Sequence, residues 1–223
     1  MKRLVVCAVV AALSSVACVA PEEEILERYL IASQRGDSPT VVALSMVAFP
    51  EEDVQSWNIL EIGELRSMPY TVPMLRETVR LVEDERDAQF KVFGEFRRAN
   101  YESLRRIQAR LREQPEYHFS GRLGELQDEW DAFRVERRQV VGKLHDAEIT
   151  FEREIRRVNK SLQRKSSPEY LTGEMLLKNA RVRVTTELGD GQFDFTLTQY
   201  ALKNQFDALV PARWIITAVE KTS

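Results

Sequence analysis

The last quarter of the chain alternates between apolar and polar side chains. Ala180, Val182 and Val184 alternate with arginine and threonine, and in "QFDFTLTQY" the residues Phe193, Phe195 and Leu197 do the same. A period of two indicates strands with one buried face. The pattern predicts a β-hairpin that turns at Gly189-Asp190-Gly191, and "RWIITAVE" predicts a last strand with Trp214, Ile216 and Ala218 on one face.

The amino-terminal part of the chain has the three-and-four spacing of helices. "EEEILERYLIASQR" predicts an amphipathic helix over residues 22–35, with Gly36 as its C-cap. Asp37-Ser38-Pro39 predicts the start of a second helix over residues 40–47. Residues 54–65 are rich in β-branched, aromatic and aliphatic side chains, Trp57 among them, and predict a strand.

The longest periodic pattern lies in the middle of the chain. From Leu123 to Leu162, apolar residues recur at helical spacing, interrupted in type by Arg137. A rougher stripe runs from Leu75 to Leu111, and Pro115, Ser120 and Gly121 separate the two. The pattern predicts an antiparallel coiled-coil hairpin of two helices, each roughly 37–45 residues and about 55–65 Å long.

These elements predict the α+β class. We expect a curved antiparallel sheet packed by the amino-terminal helices, with the long hairpin inserted into it. The predicted organisation is a signal peptide over residues 1–17 and an α+β domain in two parts, 18–71 and 167–223, separated by the hairpin over residues 72–166.

The order of elements, with "YLIASQRGD" early and "ARWIITAVE" at the end, resembles the nuclear-transport-factor-2-like superfamily of cystatin-like cones. The resemblance covers residues 22–65 and roughly 176–221, and it implies a cone-shaped sheet. Ketosteroid-isomerase relatives of that superfamily use a carboxylate base and a tyrosine inside the cone. The residues here that could play these parts are Tyr29, Asp53, Asp194 and Tyr200, but their pattern does not match that site, so the sequence favours packing roles.

The amino terminus has the organisation of an export signal. Met1-Lys2-Arg3 is positively charged, residues 4–20 are apolar over about 17 positions, and small residues mark a cleavage zone. Cleavage after Ala20 would leave Pro21 first, which fits a protease cleft badly. Ser15-Val16-Ala17-Cys18 resembles the lipobox of bacterial lipoproteins, although Ser15 stands where leucine is usual.

The lipobox resemblance implies that Cys18 becomes residue one and carries acyl chains such as palmitate. We therefore expect an exported protein of the cell envelope, anchored to a membrane through its lipid and facing the periplasm or the exterior. Plain secretion and an uncleaved anchor remain alternatives. Cys7 lies in the apolar signal, so the mature chain has at most one cysteine and no internal disulfide.

Charge and motif content exclude several classes of function. The chain has 32 Lys and Arg against 35 Asp and Glu, a net charge of −3, so nothing favours a nucleic-acid partner. Acidic residues alternate with the arginine-rich runs at helical spacing, which indicates a solvated face with ion pairs. His118 and His145 are the only histidines, and no metal-ligand spacing or cofactor motif is present.

The sequence predicts a non-catalytic, membrane-tethered interaction or scaffold protein. Its hairpin would dock another envelope component or a second copy through a seam with Phe90, Phe93, Trp130 and Phe133. The alternative is a small-molecule-binding or isomerase-like protein that uses the interior of the cone. Large side chains that fill the interior of the cone would argue against that alternative. The side chains that could fill it are Trp57, Phe193, Phe195 and Trp214.

Arg137 on the apolar seam has two interpretations. It either pairs with a carboxylate of the first hairpin helix, among Glu95, Glu102 and Glu113, or reaches solvent along its own aliphatic stem.

Overall fold

The computed structural model describes residues 20–50, 54–164, 167–187 and 189–222. The helices are α1 (Pro21–Gln34), α2 (Ser38–Leu44), α3 (Val72–Ala99), α4 (Tyr101–Glu113) and α5 (Arg122–Ser161), with a short 3₁₀ turn at Pro168–Tyr170. The strands are β1 (Ser56–Ile62), β2 (Arg66–Pro69), β3 (Thr172–Thr186), β4 (Gly189–Lys203), β5 (Leu209–Val210) and β6 (Ile215–Lys221). The predicted α+β class is confirmed. The predicted signal peptide, Cys18 and Asp53 lie outside the described residues.

A long hairpin of β3 and β4 forms the centre of a curved antiparallel sheet. Each strand has 15 residues, and the register runs unbroken from Thr172 opposite Lys203 to Thr186 opposite Gly189. The turn therefore precedes Gly189, and the predicted turn at residues 189–191 was placed too late. Strands β1 and β2 lie end to end and both pair with the other edge of β3. Strands β6 and β5 pair in the same way with the other edge of β4.

One face of the sheet is covered by α1 and α2. The register sets Ala180 opposite Phe195 and Val182 opposite Phe193, so these four side chains point to the same side. There they meet buried side chains of α1 and α2 and of the segment that enters β6: Leu26, Tyr29, Leu30, Leu44 and Trp214. This first core contains Trp214 and Ile216, as predicted. The prediction that Ala218 shares their face is wrong, because the register shift between Thr196 and Leu197 sets Ala218 opposite Thr196 and Val219 opposite Phe195.

The opposite face of the same hairpin carries a second core. Met175 lies opposite Tyr200, one position out of phase with the first core, so both point away from α1. Tyr200 and Leu202 are fully buried there against Val72 of α3 and Val158 of α5, together with Leu162, Leu171 and Val210. The base of the helical hairpin and the sheet therefore share one apolar cluster across the predicted boundaries at residues 72 and 166.

The first turn of α1 is tied to the sheet by an ion pair. Pro21 occupies the first helical position and three glutamates follow, a composition that suits the positive end of a helix dipole. Glu22 is buried and accepts a hydrogen bond from Lys178 of β3. Burial raises the pKa of Glu22, but the bond from Lys178, its own backbone N–H and the lysine charge outweigh burial and lower it below 4.5.

Glu22→Gln should make the free energy of unfolding depend less on pH in the acidic range. Because the pKa of Glu22 is lower in the folded state, its stabilising contribution is present above pH 4.5 and is lost as the pH falls through the folded-state value. The variant should be less stable at pH 7 by on the order of 1 kcal/mol, and this difference should shrink as the pH falls below 4.5. Urea unfolding at pH 7 and at a series of lower pH values measures it. Glu23→Gln removes a carboxylate from the same turn and is the control; an equal effect there would assign the change to the helix dipole.

Candidate functional site

Helices α3 and α5 run antiparallel and form a hairpin that extends from the sheet. Contacts between the two helices pair low residue numbers on α3 with high numbers on α5. In order from the base, these are Arg76 over the ring of Phe151, Glu85 with Lys143 at 3.0 Å, Gln89 with Glu136 at 3.2 Å, and Phe93 stacked on Trp130 at 5.1 Å. The predicted antiparallel pairing is confirmed.

The first arm of the hairpin is not one helix of 37–45 residues. The structure ends α3 after 28 residues, and the 13-residue α4 follows Asn100. Leu111 and Arg112 of α4 line a cleft of about 400 Å³ together with Trp130. If α3 continued straight at 1.5 Å per residue, Leu111 would lie about 27 Å beyond Phe93, whose ring stacks on Trp130. Helix α4 therefore bends back towards α5, and we call residues 90–137 the hairpin tip.

A side chain of α5 holds the loop that closes the tip. The amide oxygen of Gln127 accepts from the backbone N–H of Phe119 at 3.0 Å, and its nitrogen donates to the carbonyl of Tyr117 at 3.2 Å. Gly124 packs so closely that a Cβ there would lie 2.3 Å from the carbonyl oxygen of Phe119. These contacts fix the position of Tyr117, whose ring lies 4.8 Å from the Arg110 guanidinium.

Two glycine substitutions in α5 should change stability in opposite directions. Gly124→Ala must displace the backbone of Phe119, and we expect a loss of about 1–3 kcal/mol. Gly142→Ala meets nothing within 4 Å and should gain about 0.5–1 kcal/mol, since alanine has the higher helix propensity. Urea unfolding followed by circular dichroism compares them. A gain in both variants would mean that the loop does not pack against Gly124 in solution.

Arg137 stacks on aromatic rings. Its guanidinium lies 4.9 Å from the centroid of Phe90 and 5.8 Å from that of Phe93. Within the described part of the chain, the structure pairs it with none of Glu95, Glu102 and Glu113. A cation over an aromatic face is attracted by the ring quadrupole while its outer edge stays hydrated, and this accommodates a charge on an apolar seam without a carboxylate.

The surface of the tip combines exposed aromatic rings with arginine. Tyr101 is 54% exposed, Tyr117 38% and Phe90 37%. A second cleft of about 420 Å³ is lined by Tyr101 with Arg97, Arg105 and Arg112. Large amphipathic rings and guanidinium groups are the side chains that protein interfaces favour. The predicted seam residues Phe93, Trp130 and Phe133 pack inside the tip, where Phe133 also contacts Phe96 at 4.8 Å.

The residues considered for isomerase-like chemistry are not brought together. Tyr29 lies in the first core, donates to the carbonyl of Val47 at 3.3 Å, and has its pKa raised to about 12 by burial. Asp194 is on the other face and binds Arg181 at 2.9 Å. Tyr200 lies in the second core. Tyr29 therefore lies on the opposite face of the sheet from Asp194 and Tyr200.

A buried polar contact in the second core was missed by sequence reasoning. The Tyr200 hydroxyl donates to Oε1 of Glu154 at 2.6 Å, and Nη1 of Arg157 lies 3.2 Å from Oε2. Burial, followed by the Glu154 charge, raises the pKa of Tyr200. Glu154 directly precedes Ile155 of the apolar stripe of α5, and only the packing of α5 on β4 reveals that it is buried. The contact ties the hairpin to the sheet.

Aromatic side chains occupy the interior face of the sheet. Phe195 contacts Tyr29 with ring centroids 6.0 Å apart, and Phe49 stacks on Phe195 at 6.1 Å and tilts against Phe193 at 5.0 Å. Trp57 packs partly buried against the same core, and Trp214 is buried within it. Phe49 was not predicted to take part. These rings pack together in the first core, on the face of the curved sheet that α1 and α2 cover.

Neither histidine lies in a group of metal ligands. His118 and His145 are exposed, and His118 lies 3.9 Å from Asp128. In the described parts of the chain, no three His, Cys, Asp or Glu side chains converge as a metal site would require. Over the same residues, none of the helices combines the length and the apolar character needed to cross a bilayer.

Comparison with family models, curated proteins and solved structures gives no significant match to this chain. The resemblance to the nuclear-transport-factor-2-like superfamily and to bacterial lipoproteins stays a prediction from the sequence.

Proposed function

We propose that the chain is a membrane-tethered envelope lipoprotein that acts as a non-catalytic interaction or scaffold module. Its hairpin tip would bind another envelope protein or a second copy of itself. The observation that carries this proposal is the exposure of Tyr101, Tyr117 and Phe90 beside arginines at the end of the molecule farthest from the sheet.

The composition of the tip supports this proposal. Tyrosine and arginine are enriched among the residues that contribute most to binding energy, because each combines a large apolar area with polar atoms that can be satisfied at an interface. Arg110 and Arg137 are already stacked on Tyr117 and Phe90, so less side-chain entropy is lost when a partner covers these pairs. The alternative, a ligand inside the cone, has less support because aromatic rings occupy that space.

The tether follows from the amino-terminal pattern. If Cys18 carries the lipid, only Val19 and Ala20 separate it from α1, which begins at Pro21. The sheet would then lie close to the membrane. Multiple acyl chains hold such an anchor firmly, at ~0.8 kcal/mol for each buried methylene.

Site-specific photocrosslinking tests the interaction surface. A photoreactive amino acid in place of Tyr101 or Tyr117, in the full chain expressed in cells, should yield a covalent adduct with a partner. The matched control is Tyr170, which is 76% exposed but lies outside the tip. Mass spectrometry of the adduct distinguishes a second copy from another protein. Equal adducts at all three sites, or none at the tip, would contradict the proposed docking surface.

Cys18→Ser tests the tether separately. We expect the parent protein to begin at Cys18, to partition into detergent, and to carry an added mass of several hundred daltons from its acyl chains. The variant should accumulate as an unprocessed precursor or appear in soluble form. Its fold should be unaffected, since Cys18 precedes α1. Intact-mass spectrometry decides: an unmodified mature chain that starts at Pro21 or later would mean free secretion.

A further inference from the structure

A third cleft, which is open to solvent, lies at the base of the hairpin, away from the tip. It has a volume of about 610 Å³ and is bounded by the end of α2, the end of α5 and the segment that enters β6. Four of its lining residues are basic, namely Arg156, Lys160, Arg164 and Arg213, and none of the lining residues is acidic. Ala43 and Met46 add apolar surface.

Two of these cations have a structural role. Lys160 Nζ donates to the carbonyls of Val42, at 2.6 Å, and Ser45, and Arg213 Nη2 donates to the carbonyl of Ala43 at 2.6 Å. They satisfy backbone acceptors at the end of α2, which its own N–H groups cannot reach.

Donor capacity remains in the cleft after these bonds. An ammonium has three N–H groups, and Lys160 uses two of them in the bonds described. The buried Nε of Arg213 has no hydrogen-bond partner among the described residues. Arg156 and Arg164 form no hydrogen bond to α2 in the described part of the chain. Among the described residues, Arg156 forms an ion pair with Glu152, at 3.7 Å on the exposed surface.

The positive charges in this cleft repel one another. Burial lowers the pKa of Lys160, and the charge of Arg213 lowers it further. Burial also lowers the pKa of Arg213, with Arg28 as the second cause. An anion in the cleft would remove this repulsion and accept from the donors that remain.

We infer that this cleft binds a phosphate-type oxyanion through Arg156, Lys160, Arg164 and Arg213. The phosphate belongs either to a phospholipid headgroup or to a small soluble phosphate compound. Arginine and lysine are the side chains that recognise phosphate oxygens, arginine through paired donors and lysine as a point charge. The inference is independent of partner binding at the hairpin tip.

Titration of the full chain in a non-ionic detergent tests the inference. The probes are inorganic phosphate, short-chain phosphatidylglycerol and, as the zwitterionic comparison, short-chain phosphatidylcholine; calorimetry measures binding. Arg156→Gln combined with Arg164→Gln removes two charges that do not cap α2, so the fold should be kept. The control is Lys91→Gln with Arg153→Gln, which removes two exposed charges of α3 and α5 outside the cleft.

We expect the first pair of substitutions to weaken binding about tenfold or more, while the control pair stays near the parent. Binding of phosphatidylglycerol alone assigns the cleft to a lipid headgroup, and binding of inorganic phosphate assigns it to a soluble anion. No binding of either probe, equal binding of phosphatidylcholine, or equal loss in the two pairs would overturn the inference.

Discussion

Replacement of residues 72–166 by a short Gly-Ser linker should leave a chain that no longer unfolds cooperatively. The excision removes Val72, Val158 and Leu162 from the second core. It thereby exposes the sheet side of that core, which consists of Leu171, Tyr200, Leu202 and Val210. At about 1.5–3 kcal/mol for each large apolar side chain, the loss is on the order of 6–12 kcal/mol. That is comparable with the whole stability of a typical domain, about 5–15 kcal/mol. Thermal unfolding followed by circular dichroism measures the result.

A shorter deletion is the matched control. Removal of residues 88–138 with a similar linker discards the tip but retains the base of the hairpin with Val72, Phe151 and Val158. The antiparallel pairing of Gln89 with Glu136 places the two cut ends side by side, so the linker need not be long. This variant should keep a cooperative transition. If both deletions melt like the parent, the second core contributes little and the hairpin is an independent insert.

Phe195→Ala should cost about 3–5 kcal/mol, the largest effect that we expect from a single substitution. Its ring is fully buried and contacts both Tyr29 and Phe49, so truncation leaves a cavity that the curved sheet cannot close. Phe206→Ala makes the same chemical change at a ring that is 80% exposed and should stay within about 0.5 kcal/mol of the parent. Urea unfolding of the two variants compares them. Similar losses would indicate that the aromatic interior is loosely packed.

The central hairpin and α5 were predictable because their periodic patterns are long and belong to single elements. Alternation in β3 and β4 assigned Val182, Phe193 and Phe195 to one face, and the register confirms it. Strand β2 has no such signal, since all four of its residues are exposed at the edge of the sheet. The break at Asn100 was missed because neither proline nor glycine marks it, and α4 bends back through tertiary packing.

The surfaces proposed for binding depend on contacts that no local pattern contains. The basic cleft joins Ala43, Lys160 and Arg213, which are more than fifty residues apart along the chain. The stacking of Arg137 on Phe90 likewise needs the register between α3 and α5. The sequence placed Phe90 in the apolar stripe of the first hairpin helix and Arg137 in that of the second. Neither stripe predicts that these two side chains are in contact.

The order of the chain has a consequence for how this protein is made. Strand β1 pairs with residues 180–185. It can therefore join the sheet only after a segment more than a hundred residues later has been synthesised. Closing a flexible loop of that length costs about 2 kcal/mol more than closing one of ten residues. The helical hairpin shortens the path, because α3 and α5 can pair progressively from the tip, where Phe93 contacts Trp130, towards Val72 and Val158 at the base. Early pairing of α3 with α5 would therefore hold the two parts of the chain that form the sheet close together during synthesis.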